Sequence, residues 1–203
     1  SVIHGVEHGH HHLHEEAHAK APDAHGDAGG HGDAHAAATE EFDPQDMRNM
    51  GGLWHKMRTT SIVYIIGSLA LAGIVPLAGF WSKDEILFEA SHKNPVAYWL
   101  LVIAAAFTAF YMTRQVLMVF FGKPKHAAAA HAVESPRVMT SPLIVLAVFA
   151  ALIGFINISG DFTHWLEPTE VFTGLDPFTA VFSTIVAVGA IALGYLVYNP
   201  KRQ

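Results

Sequence analysis

The sequence predicts an all-α membrane protein with about four transmembrane helices, the first of them discontinuous, preceded by a flexible His-rich segment. Three observations carry this expectation. Of 203 residues, 51% are hydrophobic and only 15% charged, and the mean hydropathy is positive. The apolar residues fall in blocks long enough to cross a bilayer. The first block is broken by Gly73, Pro76 and Gly79, and directly after the break come Lys83, Asp84 and Glu85. Helix breakers beside a charged cluster at membrane depth mark a functional site rather than an anchor.

The net charge of −6 says little, because the charges lie in loops. With no cysteine, structural disulfides, thiolate metal sites, iron–sulfur ligation and cysteine nucleophiles are excluded. The opening residues lack the basic and apolar regions of a signal peptide. They read SVIH, without an initiator Met, like the tail of an earlier element of a longer chain.

Residues 1–45 form the His-rich segment: ten of the fifteen histidines precede Ala36, among Ala, Gly, Asp and Glu. Such a composition buries too little apolar surface to offset its ordering entropy, so a flexible loop is expected. Residues 46–58 lead into the membrane. The spans are then 59–91, with its break, 95–121, 141–158 and 177–198, separated by loops at 122–140 and 159–176. Pro95, Pro142 and Pro177 stand at or near the starts of the last three, where a missing amide hydrogen costs little. If the spans alternate, Lys20, Arg48, Lys56, Arg58, Lys123, Lys125, Arg137, Lys201 and Arg202 share one side. The other side carries Lys93 and the acidic Asp161, Glu167, Glu170 and Asp176. By the positive-inside rule, the His-rich segment, the 122–140 loop and the C-terminus face the cytoplasm or matrix. Trp54, Trp81, Trp99, Trp165 and Tyr198 fit interfacial positions.

Lys83 is the first candidate for chemistry. Burial disfavours an ammonium ion, so a lysine inside the membrane can release its proton near neutral pH, and a neighbouring carboxylate opposes that shift. The break around Pro76 would leave backbone carbonyls able to hold water for a proton path. The other reading ends the span at Trp81 and lets Lys83 snorkel to the interface. Residues 61–81 alone make about 31 Å of helix, so depth stays open at this point. Arg114, about 12 Å from the end of its span, reads first as a guanidinium reaching the interface. Its other reading is a bundle-facing residue that pairs with a carboxylate or tunes a nearby site. His14-Glu15-Glu16-Ala17-His18 matches HExxH, the zinc-protease pattern. In a tract this rich in His and Glu, with no apolar face and no third ligand at a set spacing, chance accounts for the match. Loose binding of zinc, nickel or copper by His8, His10, His11, His12, His14 and His18 is plausible chemistry. No nucleotide-binding loop, Ser-His-Asp set or haem ligand pair is present, and no feature suggests nucleic acid.

The run MRNMGGLWHKM, GSLALAGIVPLAGFWSKDEIL between Met47 and Leu87, and FTAFYMTRQVLMVFFGKPK after it, closely resembles the subunit L family of NADH–quinone oxidoreductase, respiratory complex I. The likeness covers residues 1–6 and about 42–200. The resemblance implies a piece from the C-terminal half of a longer chain. It implies that Lys83 matches the proton-carrying lysine of the family's discontinuous helix, and Asp84 its adjacent carboxylate. Further family lysines, histidines and acidic residues, and a lateral helix, would lie outside this piece. In such a complex NADH, FMN, iron–sulfur clusters and quinone are handled by other subunits, so no cofactor is expected here. The implied partners are the lipid bilayer and other membrane subunits, especially the neighbouring antiporter-like one. The implied location is a bacterial inner or mitochondrial inner membrane. The stretch from His8 to about Glu41 departs from the family, replacing what is usually a short connection.

The leading expectation is therefore a proton-translocating membrane subunit of a redox-driven pump. The alternatives are a metal-ion transporter or sensor using the His-rich loop, and a cation/proton antiporter subunit. A metal transporter would need His, Asp or Glu pairs at helical spacing inside the spans, where only the Lys83 cluster is found.

Overall fold

In the computed structural model, the described residues are 1–19, 43–156 and 177–199, with side chains beyond Leu13 in the first helix left aside. Seven α-helices are described: α1 (Val2–Ala19), α2 (Arg58–Ala72), α3 (Ala78–Lys93), α4 (Pro95–Phe120), α5 (Ala127–Ala130), α6 (Arg137–Ile156) and α7 (Pro177–Val197). Two 3-10 turns, Met47–Asn49 and Leu53–His55, lead into α2. Among the described residues there is no strand.

Helices α4, α6 and α7 are each long and apolar enough to cross a membrane. At 1.5 Å per residue, α4 is about 39 Å long. Its start is fixed by Asn94, whose Oδ1 accepts from the amides of Val96 (3.0 Å) and Ala97 (3.2 Å), with Pro95 in the first turn. This cap satisfies two of the amide donors that a helix start leaves orphaned. The third span begins at Arg137, a turn before the expected 141. Pro142 therefore lies inside the helix, still close enough to its start to be tolerated. The carbonyl of Pro136 accepts from the amides of Met139 and Thr140 to close the first turn.

The first span is two helices, and the break runs from Gly73 to Leu77, so that Gly79, read as a breaker, lies inside α3. Helix α2 stops at Gly73, which takes φ 80° and ψ 43°, a left-handed conformation that costs other residues about 1–2 kcal/mol. Its amide donates to the Ala70 carbonyl at 3.1 Å, and Ile74 donates to Leu69 at 3.2 Å. This pair of bonds is a Schellman closure, and it leaves the Leu71 carbonyl without a main-chain donor. α3 then packs on α4, α6 and α7.

The bundle is held where small residues let backbones approach, as expected when lipid removes the hydrophobic drive between helices. Ala72, Ala109 and Ala187 form one buried cluster. Ala109 and Ala187 lie at the middles of α4 and α7, so α2 ends at mid-height of the bundle. Outward faces carry large apolar side chains such as Leu100, Phe107, Leu146, Phe149 and Leu193, all exposed, as lipid-facing surfaces require.

The end of the bundle that carries Arg58 and Lys123 holds a second cluster, built from Val6, Met50, Leu53, Met57, Val119, Phe120, Ala128, Ala129 and Ala132. Two stretches expected as loops contain helix here. Residues 2–19 are helical where a flexible segment was expected, because Val2, Gly5, Val6, Gly9 and Leu13 make a narrow stripe at helical spacing. A Cβ on Gly5 would sit 2.6 Å from the Val133 carbonyl oxygen, and one on Gly9 2.6 Å from that of Ala128. The loop at 122–140 contains α5 and the start of α6. Its Glu134 caps α2, accepting from Thr59 N (2.9 Å), Thr60 N (3.2 Å) and Thr60 Oγ1 (2.6 Å). Residues 20–42, the remainder of the His-rich segment, and 157–176, which include the outer loop, lie outside the described residues.

Candidate functional site

The break creates a polar spot in an apolar bundle. Leu71, next to last in α2, has a spare carbonyl, and the Lys83 ammonium, from the second turn of α3, donates its hydrogen bond to that oxygen. Helix C-termini carry partial negative charge, so a cation here is favoured by the dipole as well as by the bond. Two close approaches make the reach possible. Gly79 lies so near α2 that a Cβ there would overlap the Ala70 carbonyl, and a Cβ on Gly73 would stand 3.1 Å from Lys83 Cδ. Lys83 thus folds back along the break, toward the end of α2, rather than outward along α3.

Asp84 is turned differently, as the 100° step between successive helix residues demands. It is 3% exposed, and the Ser183 hydroxyl of α7 lies 3.5 Å from its Oδ1. Thr179, one turn earlier on α7, is also buried. Glu85 is exposed on the outer face of α3, a turn before the Glu89–Lys93 ion pair. The three consecutive charges therefore serve three directions and do not form one cluster.

Pro76 lies in the break itself. Its carbonyl accepts from Trp81 Nε1 at 3.4 Å, and α6 presses against it through Gly154. A Cβ on Gly154 would overlap the Pro76 carbonyl oxygen and lie 2.7 Å from the Leu77 carbonyl carbon. Arg114 is not brought to the site. Its guanidinium carbon stands 5.3 Å from the centroid of the Tyr198 ring, near the end of α7, and its buried Nε makes no hydrogen bond among the described residues. Of the histidines, His8, His11 and His12 are exposed on α1 and His10 is half-buried, while the side chains of His14 and His18 lie outside the description. Among the described residues, no group of three or more His, Asp or Glu side chains converges as a metal site.

Residues 34–108, which include the break and both half-helices, match the family described as NADH:quinone oxidoreductase/Mrp antiporter, transmembrane. The chain is similar to the NADH-quinone oxidoreductase subunit L of Mycobacterium tuberculosis, 38% identical over 165 residues, covering 76% of this chain and 26% of that protein. It is 39% identical over 153 residues to subunit L of Campylobacter jejuni, covering 73% of this chain and 24% of that one. The chain belongs to the subunit L family. The NAD(P)H-quinone oxidoreductase chain 5 of a Picosynechococcus species is 40% identical over 136 residues, or 56% of this chain and 20% of that one. The chain spans about a quarter of the length of the curated relatives it matches. Family membership agrees with an antiporter-like membrane domain built around a broken helix.

Four participants escaped the sequence reading: the Leu71 carbonyl, Gly73 as the Lys83 seat, Gly154 and Ser183. Gly73 was in view as a helix breaker, but its contact with Lys83 depends on the fold. Gly154 and Ser183 stand in other spans, and no spacing in a single sequence links them to the break.

Proposed function

We propose that this chain forms part of the proton-translocating membrane subunit of an NADH–quinone oxidoreductase, with Lys83 as a proton carrier and Asp84 as its neighbouring carboxylate. The observation that carries the reading is the bond from Lys83 to the carbonyl left open at the end of α2, at mid-height of an apolar bundle. The Leu71 carbonyl and the dipole at the end of α2 hold the Lys83 side chain at the break. A lysine held by one bond across a break can load and release a proton when nearby charge or helix position changes. Asp84, buried against Ser183, supplies a negative charge at a fixed place one residue from Lys83 on the same helix.

NADH oxidation and quinone reduction belong, in this reading, to other subunits, and this chain binds no redox cofactor. Its partners are lipid and the other membrane subunits, including the adjacent antiporter-like one. The end bearing Arg58, Lys123 and Arg137 faces the cytoplasm or matrix, in a bacterial or mitochondrial inner membrane, as the loop charges favour. A metal-ion transporter would need ligands in the bundle, and α2, α4, α6 and α7 contain no His, Asp or Glu.

The test is Lys83→Ala in the assembled complex, reconstituted in vesicles. Proton pumping is expected to fall severalfold while the subunit is still incorporated and NADH oxidation by the peripheral subunits persists. Normal pumping with this change would remove Lys83 from the path.

A further inference from the structure

Helix α1 sorts its side chains by face. Val2, Val6 and Leu13, with Gly5 and Gly9, take the inner stripe against the loop at 128–133. His10 turns toward His126, with ring centroids 6.4 Å apart. The outer face carries His4, Glu7, His8, His11 and His12, all exposed. Residues four apart on a helix stand one above another, so His4, His8 and His12 form a ladder. The His4 and His8 ring centroids are 6.3 Å apart, and those of His8 and His12 are 4.6 Å apart with planes inclined at 48°.

Two imidazoles one turn apart on one face of a helix are a pre-positioned chelate. Imidazole nitrogens bind zinc and similar ions at about 2.0–2.1 Å, which sets two nitrogens on one ion about 3 Å apart. Rings at 4.6 Å between centroids are close enough for one nitrogen of each to share an ion. We propose that His8 and His12 form a two-ligand site for a divalent transition-metal ion of the zinc, nickel or copper kind. Water fills the remaining positions. Imidazole suits these ions, whereas magnesium and calcium prefer oxygen ligands, so the site discriminates by chemistry rather than by a closed cage. An ion held there clips two adjacent turns of α1 and stiffens a helix whose composition gives it little stability of its own.

The experiment uses the full chain in lipid nanodiscs, titrated with Ni²⁺ by calorimetry, with Mg²⁺ as the hard-cation comparison. His8→Ala and His12→Ala should each weaken the tightest Ni²⁺ event by about tenfold or more, because either loss destroys the chelate. The double variant should be little weaker than either single one, since both act on one ion. His8 and His12 are exposed, so these changes leave the inner stripe intact. A triple change at His25, His31 and His35, which lie outside the described residues, should leave the tightest event unaltered. Ni²⁺ should also slow amide exchange along α1 in the unaltered chain but not in His8→Ala. The proposal is overturned if the triple change weakens binding as much as His8→Ala does, if the single losses multiply in the double variant, if Mg²⁺ binds equally, or if Ni²⁺ leaves α1 exchange unchanged.

Discussion

Around the break, single atoms decide the geometry. Gly154 has no space for a methyl group, since the Pro76 carbonyl and the Leu77 backbone occupy it. Backbone cannot swing aside as a side-chain tip can, so Gly154→Ala must push α6 and the break apart. Such overpacking costs about 1–3 kcal/mol, and the variant should unfold at correspondingly lower denaturant in detergent, read by tryptophan fluorescence. An unchanged midpoint would mean that α6 does not rest on the break. This scale was the least legible in the sequence. Lys83, Asp84 and Glu85 are contiguous in the chain and look like one cluster. Once on a helix they point to α2, to α7 and outward, and only the register of α3 tells which is which.

The elements were more legible. Gly73 and Pro76 announced a broken span, and Pro95 announced the start of α4, because breakers and prolines act through local backbone chemistry that a sequence displays. The start of α6 was read a turn late because Pro142 looked like a boundary, whereas proline is also tolerated within a helix's first turns. The start of α2 was hidden for a different reason. Its cap comes from Glu134, which is 75 residues distant from Thr59. Glu134→Ala removes the acceptor for two amides and a hydroxyl, and loss of such a cap costs about 1 kcal/mol. Amide exchange at Thr59 and Thr60 should quicken, while Glu134→Gln, which keeps one acceptor oxygen, should lose less. Equal exchange in all three proteins would show that the cap adds nothing.

For the molecule as a whole, alternation of the spans and their apolar outer faces followed from composition, because the bilayer imposes both. The ordered end did not. Five small or apolar residues among many histidines are too sparse to outweigh composition, yet they suffice to seat α1 on α5 and the following turn. Ser135 Oγ donates to the Ser1 carbonyl at 2.9 Å, tying the start of α1 to the residue after the α2 cap. Gly9→Val would drive a side chain into the Ala128 carbonyl and the Ala132 amide, at about 1–3 kcal/mol. Exchange should rise along all of α1, and to a smaller degree at Thr59 and Thr60, since the loop beneath α1 carries their cap. A rise confined to the residues beside Gly9 would show that α1 and α2 are not linked through this loop.

The short helix α3 is joined to α2 only through Gly73–Leu77, and it grips neighbours on two sides: Lys83 on the Leu71 carbonyl, Asp84 beside Ser183. Adjacent residues on one rigid rod cannot turn independently. Any roll of α3 about its long axis shifts the lysine against α2 and the carboxylate against α7 in a single movement. The two contacts of α3 are therefore geared to each other: neither can be lengthened by such a roll without the other changing as well.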